Sequence, residues 1–308
     1  MVQENCMNGK ARVLIICGPT ASGKTELAVE CAKLLKTEVI SADSMNIYKY
    51  LDIGTAKPTL TEMQGVIHNM IDVVDPRESF SVGDYKELAK PILERLISDG
   101  KIPVICGGTG FYINSLIYDF SYGNGACRPE IREKYKKLAE IEGNEYIYNL
   151  LKEKDPESAS AIHCNDLKRV IRALEIYENG VKKSEIRDEK IPVYPYKAYS
   201  YDVERDILYD SIDKRVDKMI EKGLVNEVKR LTTLGITDKN QCMQGIGYKE
   251  IYEYLSGKTT LAEAIEKIKL NTRHYAKRQI TFFKKLNGLV YIKKTDVKKT
   301  AEKIIDEL

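Results

Sequence analysis

The chain has 308 residues, 43% hydrophobic and 31% charged, a composition that excludes a disordered protein and leaves room for one large or two ordinary domains. Net charge is only +3, yet the segment Lys269–Lys294 holds eight Lys/Arg and no Asp or Glu; a local basic face suits a polyanionic partner. Seven cysteines without any C-x-x-C pair exclude a disulfide framework and a zinc-ribbon spacing, and fit reduced thiols in a cytoplasmic protein, where packing is their default role.

The opening stretch MVQENCMNGKARVLIIC contains an apolar run far shorter than the ~18 residues of a membrane span, so no membrane partner is expected. Val13–Cys17 reads as a buried strand, followed by GPTASGKT over Gly18–Thr25 and a helical pattern from Thr25 towards Leu35. EVIS (38–41) reads as a second strand, Tyr85–Ser98 as a helix, and IPVIC (102–106) as a third strand running into Gly107-Gly108-Thr109. Strands separated by helices predict an α/β fold with a P-loop NTPase-like parallel sheet flanked by helices.

From about Gly123 to Ile191 the sequence turns charged, Tyr-rich and helical, which predicts an inserted all-helical domain at 123–191 within a core formed by 1–122 and 192–308. IPVYPYKAYSYDV (191–203) reads as a Pro/Tyr-rich connector. Helical periodicity resumes over 205–235, with Gly235 as its stop.

GPTASGKT fits the pattern G-x-x-x-x-G-K-[ST], in which backbone N–H groups and a helix N-terminus cradle phosphates. Gly18, Pro19, Thr20, Ala21, Ser22, Gly23, Lys24 and Thr25 are therefore the candidate phosphate loop, with Lys24 reaching the terminal phosphate and Thr25 as a Mg²⁺ ligand. A kinase or NTPase would also need an acidic residue ending a neighbouring strand to hold Mg²⁺. IPVIC ends in Gly-Gly-Thr instead. Asp43 and Ser44 follow the second strand, where open α/β sheets place ligands; Asp43 there suits a Mg²⁺ ligand, a substrate anchor, a general base or a helix N-cap. The histidines His68, His163 and His274 are too dispersed for a metal site, and packing or surface roles are their default.

GPTASGKT, ADSMNIYKYLDIGTAKP, GGTGFYI, DPESASAIHCNDLKRVIRALE, MQGIGYKE and TRHYAKRQITFFKK, in that order, resemble the tRNA dimethylallyltransferases. The resemblance runs from Val13 to Lys285. It implies transfer of a dimethylallyl group from dimethylallyl diphosphate to the exocyclic 6-amino nitrogen of adenosine at position 37, beside the anticodon, with release of diphosphate. The phosphate loop then holds an isoprenoid diphosphate rather than ATP. An adenine amine is a poor nucleophile because its lone pair is delocalised, so a base must accept a proton as the C–N bond forms.

By this resemblance Asp43 is the catalytic base, Thr109 contacts the bridging oxygen of the leaving group, and Lys24 and Arg215 stabilise the diphosphate with Mg²⁺. It implies tRNA contacts from Asp43, Ser44, Met45 and Asn46; from Thr109 and Arg132; from Lys168, Arg169, Val170, Ile171 and Arg172; from Gln244, Gly245, Ile246, Gly247, Tyr248 and Lys249; and from Lys277, Arg278, Gln279, Ile280, Thr281, Phe282, Phe283 and Lys284. The C-terminal segment independently alternates cations with aromatics, as phosphate pairing and base stacking require. An anticodon stem-loop partner, a monomer and a bacterial-type enzyme without a zinc finger are implied as well. Two departures stand out: Cys164 and Leu167 occupy positions where family members often carry proline, and Tyr50 stands where glycine is common. The competing readings are an adenylate isopentenyltransferase acting on free AMP, a small-molecule P-loop kinase, and a nucleotide-dependent switch.

Overall fold

The computed structural model describes residues 10–118, 120, 128–186 and 189–308; the first nine residues and the expected boundary between 122 and 123 lie outside that set. β1 (Val13–Cys17) buries all five side chains, which is why a run of Val, Leu and Ile forms a strand covered on both faces. It is joined by β2 (Val39–Ser41), β3 (His68–Asn69), β4 (Val104–Gly107), β5 (Tyr196–Asp202) and β6 (Leu289–Lys293). The six form one sheet in the order β3-β2-β4-β1-β5-β6, parallel at every pairing.

Parallel neighbours need long crossovers, and helices supply them. α1 (Lys24–Leu34) opens directly from the phosphate loop, and α2 (Leu60–Met63), α3 (Val82–Ser98) and α4 (Gly110–Ile117) follow. α3 starts at a reciprocal capping box between Ser81 and Asp84, three residues before the expected start. That signal lay upstream of the first apolar periodic residue.

The chain packs as two compact units, Met1–Tyr118 with Pro192–Leu308, and Asp119–Ile191. The second unit contains α5 (Pro129–Glu142), α6 (Asn144–Lys154), α7 (Pro156–Ala161) and α8 (Leu167–Glu178), and no strand among its described residues. Its core comprises Ile131, Tyr135, Ile147, Leu151, Val170, Ile171 and Leu174. Glu175 is fully buried there and accepts from Arg128 N at 2.8 Å, Arg132 Nε at 2.8 Å and Arg172 Nη1 at 2.7 Å. Burial pushes its carboxyl up, but these donors outweigh that and hold it below the ordinary value.

The first unit continues with α9 (Arg205–Glu221), α10 (Leu224–Thr233), α11 (Tyr248–Leu255), α12 (Leu261–Phe283) and α13 (Val297–Asp306). Leu14, Ile16, Leu27, Ala28, Cys31, Val104, Tyr199, Tyr201, Ala301 and Ile304 form the core under one sheet face, so α13 closes over α1.

Two expectations are corrected. The supposed connector at 191–203 contains β5, an interior strand beside β1; tyrosines obscured it because their hydroxyls break the apolar pattern. The rings of Tyr196, Tyr199 and Tyr201 are nonetheless buried, and two of the hydroxyls find partners: Tyr199 donates to Glu307 Oε2 at 2.7 Å and Tyr196 to the Asn287 carbonyl at 2.9 Å, while the Tyr201 hydroxyl is buried without one. The periodic stretch 205–235 is two helices, because Gly223 adopts φ 96° and starts a new axis at Leu224. Gly235, at φ 79°, does follow the second.

Candidate active site

The loops after β1, β2 and β4 emerge at the carboxyl ends of adjacent strands, the place where open parallel sheets bind ligands. Gly18 and Gly23 have φ 139° and 91°, a range that favours glycine. A Cβ on Gly18 would lie 2.7 Å from Ser200 Oγ, and one on Gly23 2.7 Å from Lys294 Nζ. The loop between them is tied down by Gln279 of α12, whose Oε1 accepts from Thr20 N at 2.9 Å while its Nε2 donates to the Gly108 carbonyl at 2.9 Å. One buried amide thus locks the phosphate loop to the turn after β4.

Lys24 donates to the Pro19 carbonyl at 3.1 Å. Desolvation lowers its pKa, and so does the neighbouring charge of Arg215, while Asp43 acts in the opposite sense. Desolvation likewise lowers the pKa of Arg215, opposed by Asp43 and Glu62; its Nη2 donates to the Thr55 carbonyl at 3.2 Å. Two desolvated cations with neutral acceptors gain most from an arriving anion, since Coulomb attraction strengthens where water is excluded.

Asp43 follows β2. Its Oδ1 accepts from Met45 N at 2.9 Å and Asn46 N at 3.4 Å, so one oxygen serves a turn; the helix N-cap alternative is corrected, because no helix begins there. Thr109 sits at the N-cap of α4 without capping it. Its hydroxyl accepts from Ser44 N at 3.0 Å and donates to Ser44 Oγ at 3.2 Å, which joins the β2 and β4 loops. Tyr275 borders the same cavity as Asp43, and burial followed by the charge of Asp43 pushes its phenol up to about 12.

Lys24, Asp43 and Arg215 border two adjoining cavities; Ser44, Tyr275 and Gln279 border one of them, and Thr109 lies behind Ser44 and lines neither. The larger, about 270 Å³, is bounded by Thr20, Lys24, Asp43, Ser44, Met45, Arg215, Gln244, Gly245, Ile246, Thr272, Tyr275, Arg278 and Gln279. The smaller, about 60 Å³, is bounded by Thr20, Lys24, Thr25, Ser41, Asp43, Asn46, His68 and Arg215 among others. Lys24, Asp43 and Arg215 face both. The two cavities thus meet at Lys24, Asp43 and Arg215.

The fold does not bring all of the sequence-derived residues to this space. Asn46 is buried and faces the smaller cavity, apart from Ser44 and Met45 in the larger. Val170 and Ile171 belong to the helical unit's core, Tyr248 and Phe283 to that of the first unit. These five side chains are not presented to a macromolecule. Phe282 lies against Gly110 and edge-on to Phe111, ring centroids 5.2 Å apart. Lys168 and Arg169 of the helical unit are exposed, as are Lys249, Lys277, Arg278, Thr281 and Lys284 of the first unit. Arg132 and Arg172 are paired with Glu175.

Other residues had no sequence signal. Glu227 of α10 accepts from the backbone N–H groups of Asp52, Ile53 and Gly54 at 3.0, 2.8 and 3.1 Å, and from Tyr248 Oη at 2.6 Å. Lys57 donates to the Tyr48 carbonyl at 2.9 Å, Asp52 Oδ1 at 2.7 Å and Asp72 Oδ1 at 2.5 Å. Together they shape the loop that offers its Thr55 carbonyl to Arg215. Tyr50, at φ 68°, adopts the left-handed backbone that glycine favours.

Sheet, loop and cleft define a P-loop-type α/β protein with a carboxylate, Asp43, beside the loop. The family model for IPP transferase matches residues 46–286, and that for isopentenyl transferase residues 11–80. The chain is 49% identical over 300 residues to a tRNA dimethylallyltransferase of Acetivibrio thermocellus, covering 96% of each chain, and 47% identical to that of Bacillus cytotoxicus, covering 95% and 93%. Among solved structures it resembles the tRNA isopentenylpyrophosphate transferase of Bacillus halodurans, with TM-score 0.72, 42% identity and coverage of 97% and 95%. It also resembles a eukaryotic dimethylallyltransferase solved acting on tRNA, with TM-score 0.81, 30% identity and coverage of 97% of this chain and 77% of that one. The chain belongs to the IPP transferase family.

Proposed function

We propose that the chain transfers the dimethylallyl group of dimethylallyl diphosphate to the exocyclic amine of adenosine 37 in the anticodon stem-loop of tRNA, in the cytoplasm and as a monomer. The observation that carries this is the shared lining of the two cavities by Lys24, Asp43 and Arg215. It supports a diphosphate in one cavity and the amine in its neighbour, with the three charged side chains between them. The loop N–H groups, Lys24 and Arg215 stabilise charge growing on the diphosphate as its C–O bond breaks. Asp43 takes the amine proton as the C–N bond forms, leaving a secondary amine and free diphosphate. The base itself must leave the anticodon-loop stack to reach Asp43.

Mg²⁺ fits the oxygen donors present. The Thr25 and Ser41 hydroxyls and the Asp43 carboxylate belong to residues around the smaller cavity. Among the described residues no three His, Cys, Asp or Glu side chains converge, and Mg²⁺ is characteristically held by one or two protein oxygens together with phosphates and water. Thr25 would hold the ion, which when bound neutralises diphosphate charge.

Exposed Lys277, Arg278 and Lys284 on and beside α12 supply cations for RNA phosphates. The test is incubation with labelled dimethylallyl diphosphate and either unmodified tRNA or AMP. Label is expected in tRNA; label in AMP alone overturns the assignment. Thr109→Val is expected to lower turnover by about 10²–10³-fold, the cost of losing one preorganised donor to a developing oxyanion. Single-turnover rates with saturating tRNA measure it.

A further inference from the structure

The smaller cavity holds two unsatisfied groups that the reaction does not use. Asn46 is 8% exposed and its Oδ1 has no hydrogen-bond partner; His68 Nε2 is buried and likewise unpartnered. His68 Nδ1 lies 2.9 Å from the Val66 carbonyl. A carbonyl only accepts, so Nδ1 carries the proton and Nε2 presents a bare lone pair in the neutral ring. Burial lowers the imidazole pKa, which keeps the ring neutral.

Both orphaned atoms are thus acceptors, and buried acceptors without donors are costly enough that native structures rarely leave them so. A diphosphate oxygen cannot satisfy them, because it only accepts as well. A hydrated cation can: water bound to a divalent metal is polarised and donates strongly. The cavity is about 60 Å³ and Thr25 is in its wall, whereas a liquid-like water occupies about 30 Å³. There is room for one or two waters beside Thr25.

We propose that Asn46 Oδ1 and His68 Nε2 form the outer coordination shell of the Mg²⁺·diphosphate, each accepting a hydrogen bond from a metal-bound water. This rests on the reading of the loop as a diphosphate site. Outer-shell partners orient the waters and lower the ion's freedom, and their loss characteristically weakens metal binding by about 10–100-fold. Asn46 then serves the donor substrate and not the tRNA, and His68 is no mere packing residue.

The experiment measures Mn²⁺ binding by electron paramagnetic resonance to the full chain saturated with inorganic diphosphate. Asn46→Leu and His68→Leu are compared with His68→Gln, which keeps an acceptor, and circular dichroism checks the fold. Both Leu variants are expected to bind Mn²⁺ about 10–100-fold more weakly, His68→Gln to recover most of the loss, and metal-free diphosphate affinity to stay unchanged. Unchanged Mn²⁺ affinity in both Leu variants overturns the inference alone, as does a parallel loss of metal-free diphosphate binding, which marks a packing role. A wild-type chain that binds no diphosphate overturns the reading of the loop and the inference with it.

Discussion

Asp43→Ala is expected to lower turnover by about 10²–10⁴-fold, the range that a positioned general base contributes, while leaving tRNA binding nearly intact. The alanine variant also frees Met45 N and Asn46 N, which Asp43 Oδ1 accepts in the native turn, so part of its loss could come from a disordered loop. Asp43→Asn separates the two roles. Its side-chain carbonyl still accepts both N–H groups, but the amide cannot take a proton from the amine. Asn is therefore expected to lose nearly as much turnover as Ala while retaining the native stability. Single-turnover transfer to tRNA reads the chemistry and gel mobility shift reads the affinity. Turnover near wild type in Asp43→Asn removes Asp43 as the base and leaves it a turn residue.

Glu227→Ala is expected to cost about 3–5 kcal/mol of stability, as when one partner of a buried charged network is removed, and to raise the KM for dimethylallyl diphosphate. Glu227 is 5% exposed. Its removal leaves the donors of Asp52, Ile53 and Gly54 and the Tyr248 hydroxyl without their acceptor. The cavity left behind admits little relief, because Gly54 packs directly on the Tyr248 ring: a Cβ there would lie 2.6 Å from Cε2. A loosened loop carries the Thr55 carbonyl away from Arg215 Nη2, and a less constrained Arg215 meets the diphosphate less well. Urea denaturation gives the stability change and steady-state kinetics the KM. A loss below about 1 kcal/mol, the range of an ordinary substitution, shows that the N–H groups find other acceptors.

Much of the site was legible because its signals are local. VLIIC ahead of GPTASGKT is a strand, a loop and a helix start within 13 residues, and the chain has few other ways to satisfy two glycines and an apolar run. Asp43 and Thr109 were placed by the same logic, each at the end of a strand. β5 was missed because its buried positions are held by tyrosines, whose rings are covered while their hydroxyls make the pattern read as polar. The break at Gly223 was missed because periodicity continues on both sides of it. Val170, Ile171, Tyr248 and Phe283 stand within basic or polar motifs, and a motif does not say which of its members face inward.

By itself the sequence determined the parallel α/β fold, where along the chain the glycine-rich loop lies, and which strand ends carry Asp43 and Thr109. These follow from backbone conformations that neighbouring residues impose on one another. Only the tertiary structure decided that Gln279 holds Thr20 N, that Glu227 holds the turn at Asp52 to Gly54, and that Asn46 and His68, each with a buried unpartnered acceptor, line the small cavity. A buried donor must find an acceptor, but nothing local says which. Partners more than 150 residues apart in sequence are chosen by the packing of helices against the sheet, and that packing is a property of the whole chain.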